Sequence, residues 1–132
     1  MKVLFVCTGN SFRSPVAEAL LKRARGNWEV DSAGTAPASR IAPNAEMFLK
    51  REGAYGYVKR RPEGLWQKGM GDYDLIVAMK GEHRRELLRR YPKTRGKIEV
   101  WDVDDPIYLP PGSDMRVFEE IKRKVRELAH SL

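Results

Sequence analysis

Apolar runs of strand length alternate with stretches of helical period along the whole chain, and this alternation limits the folds open to it. Residues 2–6 have the pattern of a buried strand. A helix is predicted over 15–25, where Ala17, Leu20, Leu21 and Ala24 share one face. A short strand over 29–31 precedes a helix over 43–52, with Pro43 suited to the first turn and Gly53 to the stop. A short helical piece is predicted over 62–68, then a strand over 74–78. The next helix, over 81–90, must end before Pro92. A last strand over 97–101 leads to a helix capped by Ser113 or Asp114. Its apolar stripe is Met115, Phe118, Ile121, Val125 and Leu128.

The order β-α-β-α-β-α-β-α predicts the α/β class: one domain over residues 1–132, with a central four-stranded parallel sheet flanked by helices. Ligands in such sheets bind beyond the carboxyl ends of the strands. Chemistry is therefore sought from Cys7, Ser32, Met79 and Asp102 onward.

Composition narrows the partners. A net charge of +7 attracts polyanions, so nucleic acid must be weighed. The basic residues, however, gather on predicted helix faces: Arg84, Arg85, Arg89 and Arg90, then Lys122, Arg123, Lys124 and Arg126. No sheet motif of interleaved aromatic and basic residues accompanies them, so nucleic acid is not the expected main partner. No apolar run approaches the roughly 18 residues of a membrane span. The first residues are too soon interrupted for a secretory signal, and the expected location is the cytoplasm. Cys7 is the only cysteine, which excludes an internal disulfide and a cysteine-built metal site. His83 and His130 have no metal-ligand spacing, so no metal or cofactor is expected. His83 lies on an arginine-rich helix and is expected to be exposed. Trp28, Trp66 and Trp101 are expected in the core or partly buried. Gln67 is the only glutamine amid abundant Arg, Lys and Glu, a bias that suits a heat-adapted protein.

The segment after the first strand is Cys7, Thr8, Gly9, Asn10, Ser11, Phe12, Arg13, Ser14, Pro15. A cysteine six residues before an arginine is weak evidence in a chain so rich in arginine. The context strengthens it: the loop leaves a strand and enters a helix at Pro15. Successive backbone N–H groups there converge on an anion, aided by the helix dipole. Gly9 and Asn10 tolerate the left-handed backbone such a loop needs. Arg13 offers a planar fork to two phosphoryl oxygens. Alone, Cys7 would be a small hydrophobe ending a strand. At a helix N-terminus beside arginine it is favoured as the nucleophilic thiolate. Ser14 either donates a hydrogen bond to that thiolate or caps the helix.

The run V-C-T-G-N-S-F-R-S-P resembles the signature of the low-molecular-weight protein tyrosine phosphatases, whose fold is shared by thioredoxin-coupled arsenate reductases and protein-arginine phosphatases. The resemblance continues through D-S-A-G-T at 31–35, D-L-I-V-A-M at 74–79 and D-D-P at 104–106. It implies a cysteine-dependent phosphatase with a phosphocysteine intermediate, acting on phosphotyrosine, other phosphorylated side chains or aryl phosphates. Cys7, Arg13 and Asp105 would be catalytic, Asp105 being the carboxylic acid directly before a proline. Asp104 is the alternative acid, and an Asp-Pro turn without catalytic duty is the other reading of the pair. Thr8, Gly9, Asn10, Ser11, Phe12 and Ser14 would hold the phosphate or another oxyanion. Ser32 would support the loop together with Asn10, or be a turn residue. Tyr108 would form an aromatic wall beside the substrate, or pack on the surface.

The chain also departs from that pattern. Phe12 replaces a second cysteine that protects the nucleophile in many relatives, so the resemblance implies no such protection here. Lys80 stands where an aspartate is usual. Residues 36–39 lack an aromatic common in tyrosine phosphatases, and Ile107 replaces another. Ser11, Asn10 and Glu18 resemble positions in the arsenate reductases. A disulfide relay within one chain is excluded by the single cysteine, so arsenate reduction would need an external thiol. A non-catalytic binder of anions or nucleic acid on the same fold is the third possibility.

Overall fold

The computed structural model describes residues 1–131. Four strands, β1 (Lys2–Cys7), β2 (Glu29–Gly34), β3 (Leu75–Ala78) and β4 (Ile98–Val100), form one sheet in the order β2-β1-β3-β4. All three pairings are parallel. The helices among the described residues are α1 (Arg13–Ala24), α2 (Pro43–Glu52), α3 (Gly81–Arg90) and α4 (Ser113–His130). Several single-turn helices, including Leu65–Gln67 and Pro106–Tyr108, lie in the connections.

Alternation along β1 divides the core in two, because successive strand side chains point to opposite faces. Val3, Phe5 and Cys7 join a cluster with Val16, Phe48 and Phe118, from α1, α2 and α4. Leu4 and Val6 join the opposite cluster with Leu65, Ile76 and Leu87. The chain leaves β1 toward β2 on one side and reaches β3 on the other. The carboxyl end of β1 therefore lies at the point where the strand order reverses, the place an open α/β sheet offers to a ligand.

The predicted bounds hold most closely where proline and glycine punctuate the chain. The α2 bounds match the expectation, Pro43 opens it, and Gly53 closes it with φ 78°. α1 starts earlier than expected, at Arg13, which puts Pro15 in the first turn, where an N–H is not needed. Three expectations are corrected. Trp66 is 64% exposed, because Leu65 takes the inward position of its turn and the indole lies against Gly64. Met115 is exposed in the first turn of α4, ahead of the buried stripe that begins at Val117. The cap of α4 is Gly112, one residue before Ser113.

Candidate active site

β1 ends at Cys7 and α1 begins at Arg13, so the loop is short and its shape is set from both ends. Its carbonyl groups are held from behind. Thr35, Ala36, Ala38 and Ala42 donate their N–H groups to the carbonyl oxygens of Cys7, Thr8, Gly9 and Ser11, at 2.9–3.0 Å. A planar trans peptide places the next N–H opposite each carbonyl. The amide hydrogens of Thr8, Gly9, Asn10 and Phe12 therefore point away from that segment and are free to meet an anion. β2 approaches so closely that a Cβ at Gly34 would lie 2.4 Å from the carbonyl oxygen of Thr8. Only glycine fits there.

Asn10 turns the loop with φ 51°, the left-handed region that costs a non-glycine residue energy. Its side chain compensates by using its full hydrogen-bonding capacity. Nδ2 donates to Ser14 Oγ at 2.8 Å and to Ser32 Oγ at 2.9 Å, while Oδ1 accepts from Lys59 Nζ at 2.9 Å and from the Glu63 amide at 2.8 Å. Ser14 Oγ lies 2.8 Å from Cys7 Sγ. With its oxygen already accepting from Asn10, Ser14 has its hydrogen left for the sulfur.

A cavity of about 540 Å³ opens over this loop, lined by Cys7, Thr8, Gly9, Ser11, Phe12 and Arg13 on its floor, with Asp105 and Tyr108 among its walls. Asn10, Ser14 and Ser32 do not line it; their side chains form the buried network behind. Arg13 is 3% exposed and spans the site, donating from Nη1 to the Val103 carbonyl at 3.0 Å and from Nη2 to Asp105 Oδ2 at 3.4 Å. Asp105 Oδ1 accepts from the Ile107 amide at 3.1 Å, which fixes the carboxyl group at the start of a single-turn helix. Tyr108 lines the cavity and is 86% exposed. Ser11 donates its hydroxyl to the Arg40 carbonyl at 2.8 Å. Phe12 packs its ring edge-on against Phe48.

Lys80 separates the two candidate acids. It pairs with Asp102 at 2.8 Å and with Asp104 at 2.6 Å. The hydrogen bond from Lys80 holds Asp104 below its ordinary carboxylate range, so Asp104 is kept ionised beside its partner. Asp105 faces Arg13 and the cavity instead.

His83, expected to be exposed, is 1% exposed. Its Nδ1 accepts from the Lys80 amide at 3.0 Å, so Nε2 carries the hydrogen and donates to Thr8 Oγ1 at 2.8 Å. α3 is thereby tied to the loop. His83 shares a buried face with Leu87 four residues on, a spacing that was visible in the sequence. Burial, then the charges of Arg13 and Lys80, pushes its pKa from an ordinary 6.5 down to about 4. Because the folded value lies below the unfolded one, the contribution of this group is complete above pH 6.5 and is lost as pH falls through 4. The loss amounts to about 3 kcal/mol by pH 4. Denaturation of wild type and His83→Asn at neutral and acid pH checks this: the stability gap between them should shrink as pH falls. A gap independent of pH would rule the titration out.

The model for the family "Low molecular weight phosphotyrosine protein phosphatase" matches residues 2–132, and the chain belongs to that family. It is 30% identical to the protein-arginine-phosphatase of Bacillus subtilis, over 100% of this chain and 94% of that one. It is 31% identical to the low molecular weight protein-tyrosine-phosphatase Wzb of Escherichia coli, over 98% and 94%. Among solved structures, a low molecular weight protein tyrosine phosphatase from T. tengcongensis superposes with a TM-score of 0.86 at 33% identity, covering 100% of this chain and 99% of that one. Wzb of Vibrio vulnificus, in complex with benzylphosphonate, gives 0.89 at 25%, covering 99% and 98%. No helix among the described residues is long and apolar enough to cross a membrane.

Proposed function

We propose that this phosphatase works through a covalent phosphocysteine at Cys7, with phosphotyrosine or other phosphorylated protein side chains and aryl phosphates as substrates. The observation that carries the proposal is the placement of Cys7 Sγ: it lies on the floor of a cavity, 2.8 Å from Ser14 Oγ, among amides turned away from their outward-held carbonyls. In the first step sulfur forms a bond to phosphorus, the bond to the leaving oxygen breaks, and Asp105 gives that oxygen its proton. In the second step water attacks phosphorus, Asp105 takes a proton from it, and the S–P bond breaks to release inorganic phosphate and the thiolate. Arg13 and the loop amides hold the equatorial oxygens in both steps, supplying the positive charge that the transition state requires. Exposed Tyr108 and Ile107 give the cavity mouth an apolar edge suited to an aromatic leaving group.

The test is hydrolysis of an aryl phosphate in the presence of a metal chelator. Turnover should be undiminished, because the charge comes from arginine and backbone dipoles. Activity that disappears with the chelator and returns with a divalent cation would refute the proposed chemistry.

A further inference from the structure

Lys59 lies behind the loop and has no part in the two chemical steps. Its side chain is 7% exposed, and its ammonium group sits in a cage of oxygens. Asn10 Oδ1 is 2.9 Å away, the Ser32 carbonyl 2.7 Å, Ser32 Oγ 3.2 Å and Glu63 Oε1 2.8 Å. Carboxylate oxygens of Glu18 and Asp31 stand at 3.9 Å.

An ammonium group donates and never accepts. Lys59 therefore draws the oxygen of the Asn10 amide toward itself, and the Glu63 N–H makes the same demand on that oxygen. Reversing the amide would set its NH₂ against two donors. With the oxygen so fixed, Nδ2 is committed to Ser14 and Ser32. Ser32 passes its own hydrogen to Glu18 Oε1 at 2.5 Å, and toward a Cys7 thiolate, which can only accept, Ser14 is the donor at 2.8 Å. Donation runs in one direction: from Lys59 to Asn10, from Asn10 to Ser14, from Ser14 to the sulfur.

We propose that Lys59 is a positioning residue for the phosphatase reaction: its ammonium group locks the Asn10 amide, and through it aims the Ser14 hydroxyl at Cys7. The proposal rests on Cys7 being the nucleophile. Lys68 provides an internal comparison. It is buried to the same degree, 8% exposed, and binds two of the same carboxylates, Asp31 at 2.8 Å and Glu63 at 2.9 Å. Among the described residues its bonds go to Asp31 and Glu63, and none reaches Asn10, Ser14 or Ser32. A purely structural role would make the two lysines equivalent; a positioning role makes only Lys59 matter to the reaction.

The experiment compares wild type, Lys59→Ala, Lys59→Arg and Lys68→Ala, each checked for folding by circular dichroism. kcat, KM and the pH profile of kcat/KM are measured with an aryl phosphate. Lys59→Ala should lower kcat by about 10²-fold, the scale of a misplaced reacting group. The acid limb of kcat/KM should move to higher pH, because the thiolate loses an aimed donor. Lys68→Ala should lose stability while keeping kcat and the acid limb. Should Lys59→Ala fail to fold, Lys59→Arg decides. It keeps the charge among Glu18, Asp31 and Glu63, but a planar fork cannot converge on the same oxygens. It too should show reduced kcat and the shifted limb. A folded Lys59 variant with the wild-type kcat and acid limb would overturn the proposal, as would equal kinetic losses in the Lys68 variant. An inactive wild type would instead refute the phosphatase chemistry on which the proposal depends.

Discussion

Replacing Cys7 by serine should abolish aryl phosphate hydrolysis, with an expected loss on the order of 10⁶-fold in kcat, the scale seen when a hydrolytic nucleophile is removed. A hydroxyl at this position must lose a proton before it can attack. The Ser14 hydroxyl, hydrogen-bonded to the sulfur at 2.8 Å, is no base. His83, the imidazole of α3 that is hydrogen-bonded to the loop, gives its Nε2 hydrogen to Thr8 and its Nδ1 lone pair to the Lys80 amide. Serine would thus remain a neutral alcohol, whereas a thiol gives up its proton far more readily than an alcohol and its thiolate is the stronger nucleophile. The anion cradle itself is unaltered, so Cys7→Ser should still bind inorganic phosphate in a calorimeter. Arg13→Ala should lose hydrolysis and binding together, because it removes a buried cation and the donor that reaches toward Asp105. A Cys7→Ser variant with substantial residual turnover would mean that another group attacks phosphorus.

What could be read from the sequence was what is local. The strand, the loop and the helix that hold Cys7 and Arg13 are contiguous, and their order along the chain already placed the loop at the carboxyl edge of the sheet. Proline and glycine marked α2 from end to end. The residues that escaped notice act across long separations. Lys59 meets Asn10 from 49 positions away and sits in a K-R-R run, which on its face is a solvated basic stretch. His83 meets Thr8 from 75 positions away, and the arginines around it suggested an exposed helix. Only its spacing from Leu87 marked it as inward-facing. Trp66 misled in the opposite sense: a large aromatic suggests burial, yet a three-residue turn has one inward position and Leu65 fills it. Polar networks are assembled by the fold, and one-dimensional periodicity carries no record of which distant partners will close them.

Asp105→Asn should lower kcat/KM by about 10²–10⁴-fold for esters with poor leaving groups, and far less for esters with good ones. The ratio kcat/KM covers events up to formation of the phosphocysteine, so it isolates the step in which the leaving oxygen needs a proton. A nitrophenolate departs without one; an alkoxide or a simple phenolate does not. Asparagine retains an oxygen to accept from the Ile107 amide, so the short helix at Pro106–Tyr108 should persist and the effect should be chemical. Phosphate affinity should not weaken, since the substitution removes a negative charge 3.4 Å from Arg13 Nη2. Asp104 cannot take over the role, because Lys80 holds it as an ionised carboxylate at 2.6 Å. With a good leaving group, the loss of the base for the second step should make hydrolysis of the phosphocysteine limiting, and a burst of phenolate should precede the steady state. Equal slowing of good and poor leaving groups would remove Asp105 from the acid role. If Asp104→Asn then showed the selective slowing, the proton would come from the neighbouring residue, and the pairing with Lys80 would have to open during turnover.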